Sequence, residues 1–167
     1  MGSLSEGSRP GPRGSPATDG GDLPLGRANT LDEVRLVSLP KFTDERGSLT
    51  FVEGGRHMPF EIRRVFYIYD VPSGAHRAGH AHRQLQQLIV ALSGSFTLVV
   101  RTPAEERRFR LHTPFEALYV PPLIWRDIEE FSSGAVAMVL ASTHYDPRDY
   151  FEDADDYRLA YERALRS

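Results

Sequence analysis

The segment GHAHRQLQQLIVALSGS, from Gly79 to Ser95, contains two histidines that are one residue apart. In an extended strand, residues i and i+2 point to the same side, so His80 and His82 are predicted to face the same way. Imidazole can bind a divalent metal, and because its pKa lies near neutrality it can also accept and return a proton. The pair therefore predicts either a metal site or an acid–base site.

Most of the chain after residue 34 has the pattern of short β-strands. Segments such as VRLVSLP, FEIRRVFYIYDVP and QLIVALSGSFTLVV are rich in β-branched and aromatic residues and end at Pro, Gly or Ser. Ser93-Gly94 lies between two apolar runs, which indicates a hairpin. Many short strands at regular spacing predict an all-β sandwich or a closed barrel, with the two histidines at the barrel mouth.

The two ends of the chain differ from this pattern. Residues 1–29 are rich in Gly, Pro and Ser and poor in large apolar residues, so we predict a disordered tail. The last residues have helical spacing and predict a short helix with Asp155 or Asp156 as its N-cap. Residues 30–167 are therefore predicted to form a single domain with a C-terminal helical extension. The apolar face of the helix would carry Tyr157, Ala160, Tyr161, Ala164 and Leu165.

Composition excludes several classes of function. The formal net charge is −3, which gives no reason to expect a nucleic acid partner. The chain has no cysteine, which excludes disulfides, thiolate metal sites and cysteine nucleophiles. We recognise neither a secretory signal nor an apolar run long enough to span a membrane. We therefore expect a cytoplasmic protein that binds no membrane.

The spacing around the histidines resembles the first motif of the cupin family. Its positions are held here by Gly74, His80, His82, Gln87 and Gly94, with Gln87 where the family usually has an acidic residue. The second cupin motif ends in a metal-binding histidine, and Arg126 stands at that position in this chain. The resemblance implies a cupin, or jelly-roll (double-stranded β-helix), barrel.

The residue types at these positions argue against a metal. Divalent cations bind neutral imidazoles and carboxylates, whereas a guanidinium cannot be a ligand and repels a cation. We therefore predict no metal and no cofactor, while a metal-dependent cupin enzyme and a purely structural histidine pair stay open as alternatives. A metal-free pocket with paired histidines and an arginine suits proton transfer on an anionic or carbonyl substrate.

Longer segments are similar to one group of cupin enzymes, the sugar 3,4-ketoisomerases that act on dTDP-4-oxo-6-deoxy-D-glucose. The similarity extends from about Leu36 to Tyr150, with all segments in the same order. It implies that this chain moves the sugar carbonyl from C4 to C3 through an enediol(ate), in a route to 3-amino-3,6-dideoxy sugars. The segments are DERGSLTFVEGG, PFEIRRVFYIYDVP, GHAHRQLQQLIVALSGSF and YVPPLIWRDIEEFSSGAVAMVLAS.

The resemblance also implies catalytic roles for individual residues. His80 would be the base that removes the proton at C3, and His82 would orient His80 or relay a proton. Tyr67 would be a further proton relay, with its neighbour Phe66 as the alternative holder of that position.

Substrate binding is expected from the arginines and aromatic residues near the motifs. Arg46, in the DERG turn, and Arg126 would contact the sugar oxygens or the diphosphate, and Arg77 could meet a phosphate. Structural roles compete at the other positions, because Tyr119 favours strands, Trp125 favours cores and Gln87 could satisfy a buried hydrogen bond. The predicted substrate-binding residues are Arg46, Arg77, Gln87, Tyr119, Trp125 and Arg126.

Members of this family are dimers that exchange N-terminal strands, and here the exchanged piece would begin near Val34. The resemblance therefore implies a homodimer whose small-molecule partner is a dTDP-linked 4-keto-6-deoxyhexose. Two further alternatives stay open, a non-catalytic cupin that binds a sugar nucleotide and a related cupin 3,5-epimerase. The configuration of the product at C4 is open as well.

Overall fold

The computed structural model describes residues 21–167, so the first 20 residues of the predicted tail lie outside the described part. Within residues 21–167 the elements are short strands, two 3₁₀ turns and one α-helix. The strands are β1 (Arg35–Ser38), β2 (Lys41–Asp44), β3 (Gly47–Thr50), β4 (Arg64–Ile68), β5 (Arg77–His82), β6 (Gln87–Ser93), β7 (Phe96–Arg101), β8 (Glu106–Leu111), β9 (Glu116–Val120), β10 (Trp125–Glu129), β11 (Val136–Ala141) and β12 (Tyr150–Phe151), the 3₁₀ turns are Leu31–Glu33 and Pro147–Asp149, and helix α1 is Ala154–Leu165.

Two five-stranded antiparallel sheets face each other. One has the order β1-β9-β6-β11-β4 and the other β12-β5-β10-β7-β8. Their inner faces bury alternate apolar residues, among them Ile89, Phe96, Leu98 and Val139. The predicted all-β fold is confirmed. The predicted hairpin at Ser93-Gly94 is wrong, because β6 and β7 belong to different sheets, and Gly94, with a φ of 62°, lies in the turn that crosses from one sheet to the other.

Strands β2 and β3 form a separate two-stranded hairpin. Cross-strand partners Phe42 and Leu49 are 61% and 58% exposed. The ring of Phe42 stacks on Phe51, at 6.2 Å between centroids. The hairpin thus projects from the sandwich with apolar side chains in solvent.

The end of the predicted tail is part of the fold, which corrects the boundary at residue 29. Asn29 is buried, and its Nδ2 donates to the carbonyl of Pro122 at 3.0 Å. The hydroxyl of Tyr161 donates to the Asn29 carbonyl at 2.8 Å, and Leu25 packs against the same apolar cluster. The composition of residues 21–29 does not predict these contacts, because they depend on a surface that residues distant in the sequence form.

Helix α1 closes the end of the sandwich near β5 and β12. Its N-cap is Asp153, whose carboxylate accepts the amides of Asp155 and Asp156 at 2.9 Å, so the predicted cap was wrong. The expected apolar face is buried at Tyr157, Ala160 and Tyr161, whereas Leu165 is exposed. Among residues 21–167, no helix is long and apolar enough to cross a membrane.

Candidate active site

A cavity of about 1120 Å³ opens at one end of the sandwich. Strands β4, β5, β6 and β10 form its walls, and the turn around Pro147 and strand β12 close one side. A cavity of this volume can hold a large small-molecule ligand. Polar side chains at its base and walls include His80, Gln87, Arg126 and Tyr150.

A bulge in β5 sets the direction of His80. Ala78 and Gly79 both have left-handed backbone conformations, with φ of 68° and 75°. The pairing register between β10 and β5 shifts at the same point, between Arg126 and Asp127. Bulges of this kind re-aim the following side chain, and glycine adopts such a conformation without steric cost. His80 and His82 lie against each other, with ring centroids 4.7 Å apart.

His82 is held in one tautomer by Asp149. The side chain of His82 is fully buried, and its Nδ1 lies 2.9 Å from Oδ2 of Asp149. The other carboxylate oxygen accepts the backbone amide of Gln84 at 2.8 Å. A carboxylate accepts the Nδ1 proton, so Nε2 carries the lone pair. Within residues 21–167, this buried Nε2 has no hydrogen-bond partner.

The environment keeps His82 neutral. Burial lowers its pKa to about 4, with a smaller lowering effect from Arg126, although the hydrogen bond that His82 donates to Asp149 opposes the shift. Burial raises the pKa of Asp149, but its contacts with His82 and Gln84 outweigh this and leave it below the ordinary value. At neutral pH the pair is a neutral imidazole that donates to a carboxylate.

Arg126 is a buried cation with neutral acceptors. Its Nη1 donates to Oε1 of Gln87 at 2.5 Å, and Nη2 donates to the carbonyl of Ile124 at 2.7 Å. Burial lowers its pKa to about 10, so it keeps its charge at neutral pH. Within residues 21–167, no carboxylate accepts a hydrogen bond from Arg126. Asp149 affects Arg126 only through its negative charge. A buried cation in this state favours an anion in the cavity.

Two predicted substrate-binding residues lie outside the cavity. Trp125 is next to Arg126 on β10 and therefore points to the opposite face, where its ring packs 5.5 Å from Tyr157. Tyr119 is paired with Leu88, not with the cavity residue Gln87, so it lies on the outer face of its sheet. Its hydroxyl donates to Gln86 at 2.7 Å. The contacts of both side chains are structural.

Tyr67 lines the cavity only at its exposed edge, and the alternative residue Phe66 holds the inward position. On β4, Phe66 and Ile68 point inward and pack against the core, whereas Tyr67 is 61% exposed. Tyr67 borders the outer part of the cleft and packs beside Tyr69, at 6.2 Å between ring centroids. The inward position of this strand thus carries a phenylalanine, which has no hydroxyl.

The remaining two predicted residues are arginines with different locations. Arg77 is exposed and lines the mouth of the cleft, as a phosphate-binding residue would. Arg46 lies in the β2–β3 turn, outside the cleft of its own chain, and its Nη2 binds Asp44 at 2.5 Å.

Sequence reasoning missed Asp149 and Tyr150. The turn at Pro147–Asp149 follows an Asp146 cap, and strand β12 then pairs with β5, with Tyr150 opposite His82. Asp149 and His82 are 67 residues apart, and no local pattern in the sequence indicates that they meet. The Asp-Pro pair was the available signal, since it marks an ordered turn.

Within residues 21–167 there is no group of three or more His, Asp or Glu side chains that could hold a metal ion. The residues at the base of the cavity are instead two imidazoles, an amide and a guanidinium. Their donor set does not fit a divalent cation, because Arg126 would face it. Independence from metal stays a prediction that metal removal can test.

Comparisons with known proteins agree with this geometry. Residues 32–162 match the family model described as FdtA: WxcM-like, C-terminal. The chain is 37% identical over 126 residues to the TDP-4-oxo-6-deoxy-alpha-D-glucose-3,4-oxoisomerase of Aneurinibacillus thermoaerophilus, which covers 75% of this chain and 91% of that protein.

Solved structures give the same result. A histidine-to-asparagine variant of the 3,4-ketoisomerase QdtA from Thermoanaerobacterium thermosaccharolyticum, in complex with TDP-4-keto-6-deoxyglucose, is 36% identical with a TM-score of 0.78. The alignment covers 80% of this chain and 97% of that one. The WlaRB TDP-quinovose 3,4-ketoisomerase from Campylobacter jejuni is 34% identical with a TM-score of 0.73, over 75% of this chain and 97% of that one. The chain therefore belongs to the FdtA, WxcM-like C-terminal family, whose fold is the predicted cupin barrel.

Proposed function

We propose that this chain is a sugar 3,4-ketoisomerase that converts dTDP-4-oxo-6-deoxy-D-glucose to the 3-oxo isomer. The observation that carries the proposal is the base of the cavity, where His80 lies beside a neutral, Asp149-bound His82 and a buried Arg126. This is an acid–base pair next to a cation that favours a developing oxyanion. Relatives named for this reaction share the fold and more than a third of the aligned residues.

The reaction begins at the carbon next to the ketone. The carbonyl at C4 acidifies the proton at C3, and we assign its removal to His80. The negative charge that develops on O4 is stabilised by Arg126, whose hydrogen bonds to Gln87 and Ile124 hold the guanidinium in place. A proton then moves from O3 to O4, and the protonated His80 returns a proton to C4. No redox step is needed, because the carbonyl and the alcohol exchange positions within one molecule.

The mouth of the cleft supports a nucleotide-linked substrate. Arg77 lines the mouth of the cleft, where its guanidinium would bind a diphosphate. Glu152, Asp153 and Asp156 also line the cleft, and their carboxylates would repel a diphosphate beside them. We therefore infer that the diphosphate lies against Arg77. On the same grounds of family and reaction we propose a cytoplasmic role in the synthesis of 3-amino-3,6-dideoxy sugars.

We further propose that the protein is a homodimer in which each hairpin contacts the other chain. The hairpin exposes Phe42 and Leu49, and beside it an apolar groove of about 580 Å³ runs over the outer face of one sheet. Arg46 lies at the tip of this hairpin and outside its own cavity. In the dimer it would reach the partner's cleft and contact the substrate there.

Proton NMR of dTDP-4-oxo-6-deoxyglucose in D₂O tests the activity directly. We expect the wild-type protein, with and without EDTA, to produce the 3-oxo sugar. His80→Asn should reduce the rate by about 1000-fold or more, because a positioned base contributes 100- to 10,000-fold. The matched control is His112→Asn, an exposed histidine after β8, which should be as active as wild type.

Each outcome discriminates between functions. Activity lost on EDTA treatment and restored by a metal would favour a metal-dependent cupin enzyme. Binding of TDP without any change in the sugar signals would favour a non-catalytic binding protein. Deuterium at C5 with no 3-oxo product would indicate the epimerase reaction.

A further inference from the structure

We propose that Tyr150 is the acid–base residue that moves the proton between the two sugar oxygens. This inference rests on the proposed function, in which a proton must leave O3 and reach O4, and it names the group that carries it. The strand that contains Tyr150 is two residues long and pairs with the strand of the two histidines.

The register of this pairing directs the side chain into the site. Tyr150 lies opposite His82, and cross-strand partners point to the same face of a sheet. The neighbouring pair, Phe151 and Ala81, points to the other face and packs in the apolar cluster beside α1. The ring of Tyr150 lies 5.0 Å from the ring of His80 and 4.4 Å from that of His82.

The other tyrosines of the cleft lack this position. Tyr67 and Tyr69 lie on the exposed part of the cavity wall, where their side chains are 61% and 59% exposed. Tyr145 is 40% exposed and contacts Tyr150, not the histidines, at 5.9 Å. The inward position on β4 is Phe66, which cannot exchange a proton. Within residues 21–167, the tyrosine that contacts both imidazoles and lines the cavity is Tyr150.

Arg64 completes the arrangement. Its guanidinium lies over the rings of Phe66 and Tyr145, at 5.2 and 5.6 Å, and its Nε is buried without a hydrogen-bond partner among residues 21–167. Burial raises the pKa of Tyr150, and the charge of Arg64 opposes that rise. The phenol is thus protonated at neutral pH, ready to donate, and its transient phenolate is stabilised by a nearby cation.

The proton balance closes with these groups. His80 takes the proton from C3, and the electrons form the C3–C4 double bond while O4 becomes an oxyanion. The phenol of Tyr150 gives its proton to O4 and takes the proton of the O3 hydroxyl as the C3–O3 bond becomes a carbonyl. The protonated His80 then gives its proton to C4. Tyr150 and His80 both return to their starting states, so no further reactant is required.

The test compares isomerisation with hydrogen exchange in D₂O. Tyr150→Phe keeps the ring and removes the hydroxyl, and Tyr69→Phe is the matched control at the cleft wall. We expect Tyr150→Phe to lower kcat about 100-fold with little change in KM, because proton relays contribute 100-fold or more. Deuterium should still enter C3 of the unconverted substrate, since His80 still acts. The ratio of this exchange to product formation should therefore rise well above the wild-type ratio.

Three outcomes would overturn the proposal. Full activity of Tyr150→Phe would show that its hydroxyl does not act. An equal loss of exchange and isomerisation, with a normal thermal unfolding midpoint, would show that the residue only shapes the site for His80. If the wild-type protein converts no substrate while His80→Asn and wild type behave alike, the proposed function itself fails and the relay fails with it.

Discussion

The interior of the barrel and the β2–β3 hairpin are organised in opposite ways. Inside, charged and polar groups are buried and find their partners within the chain, as His82 does with Asp149 and Arg126 with Gln87. On the hairpin, apolar side chains such as Phe42 and Leu49 are exposed, and Arg46 binds only a neighbour in its own turn.

The difference indicates what each region requires. Burying a charge costs free energy unless partner groups compensate it. Among residues 21–167, the buried Arg126 has no carboxylate partner, which indicates that it binds a negatively charged ligand. Exposing a cluster of apolar residues is unfavourable in a monomer, so the hairpin indicates a second surface that covers it. The buried polar groups of the interior find most of their partners within one chain, whereas the hairpin is where we propose that a second copy binds.

The largest expected effect concerns the buried cation. Arg126→Met should lower kcat/KM about 1000-fold, because it removes a preorganised donor from the oxyanion. The free energy of unfolding should stay the same or increase, since methionine replaces a desolvated charge that has no direct carboxylate partner. Steady-state kinetics and urea unfolding on the same preparation measure both quantities.

The control for this variant is an exposed arginine. Arg158 lies on α1, where it pairs with Asp155 at 3.3 Å, and Arg158→Met should leave activity unchanged. Its stability should change by less than about 1 kcal/mol, as for surface ion pairs. If Arg126→Met destabilised the protein strongly while retaining activity, the guanidinium would be a structural group and the contrast between the two regions would be wrong.

Acidification should destabilise the interior through His82. Its pKa is about 4 in the folded protein and 6.5 in the unfolded chain, so the unfolded state binds the proton first as the pH falls. Stability is therefore full above pH 6.5 and is lost as the pH falls towards 4, by on the order of 3 kcal/mol. Urea unfolding at several pH values in this window measures the loss.

A substituted protein isolates the contribution of this histidine. His82→Gln keeps a donor for Asp149 but cannot titrate, so its stability should vary less with pH between 6.5 and 4. An unchanged slope in His82→Gln would assign the acid sensitivity to other groups.

The Asp149–His82 hydrogen bond should matter for rate more than for binding. Asp149→Asn conserves shape but removes the charge that fixes Nδ1–H on His82, and we expect kcat to fall about 100-fold with KM nearly unchanged. Nitrogen NMR of the imidazole should show loss of the single tautomer. The control is Asp155→Asn, an exposed residue of α1. A wild-type kcat together with a changed tautomer would separate the hydrogen bond from catalysis.

The predicted residues that the structure brings together at the base of the cavity lie in strands where spacing alone determines the face. His80, His82 and Gln87 belong to one continuous segment, and Arg126 was found because it stands at the last position of the second cupin motif. Tyr119 and Trp125 lie outside the cavity and Tyr67 lies at its exposed edge. The sequence did not predict this, because a shift of one residue along a strand moves a side chain to the opposite face, and composition does not fix that register.

Long-range pairing explains the remaining errors. Tyr150 and Asp149 reach the histidines through a strand of two residues, too short for any periodicity to indicate. Asn29 is buried by the turn at Pro122 and by α1, which the composition of a Gly- and Pro-rich segment does not reveal.

The smallest expected effect concerns the hairpin. Leu49→Asp puts a charge on its exposed apolar face and should shift the protein from dimer to monomer, because burying an unpaired carboxylate in an interface is costly. Activity should fall together with the dimer, because Arg46 would no longer reach the partner's cleft. Analytical ultracentrifugation over a range of concentrations, with kinetics at the same concentrations, measures both. The control Leu165→Asp alters a residue of similar exposure, 61% against 58% for Leu49, at the end of α1, and it should change neither quantity. A dimer that survives Leu49→Asp with full activity would show that the exposed hairpin does not form the interface, and that each barrel works without its partner's arginine.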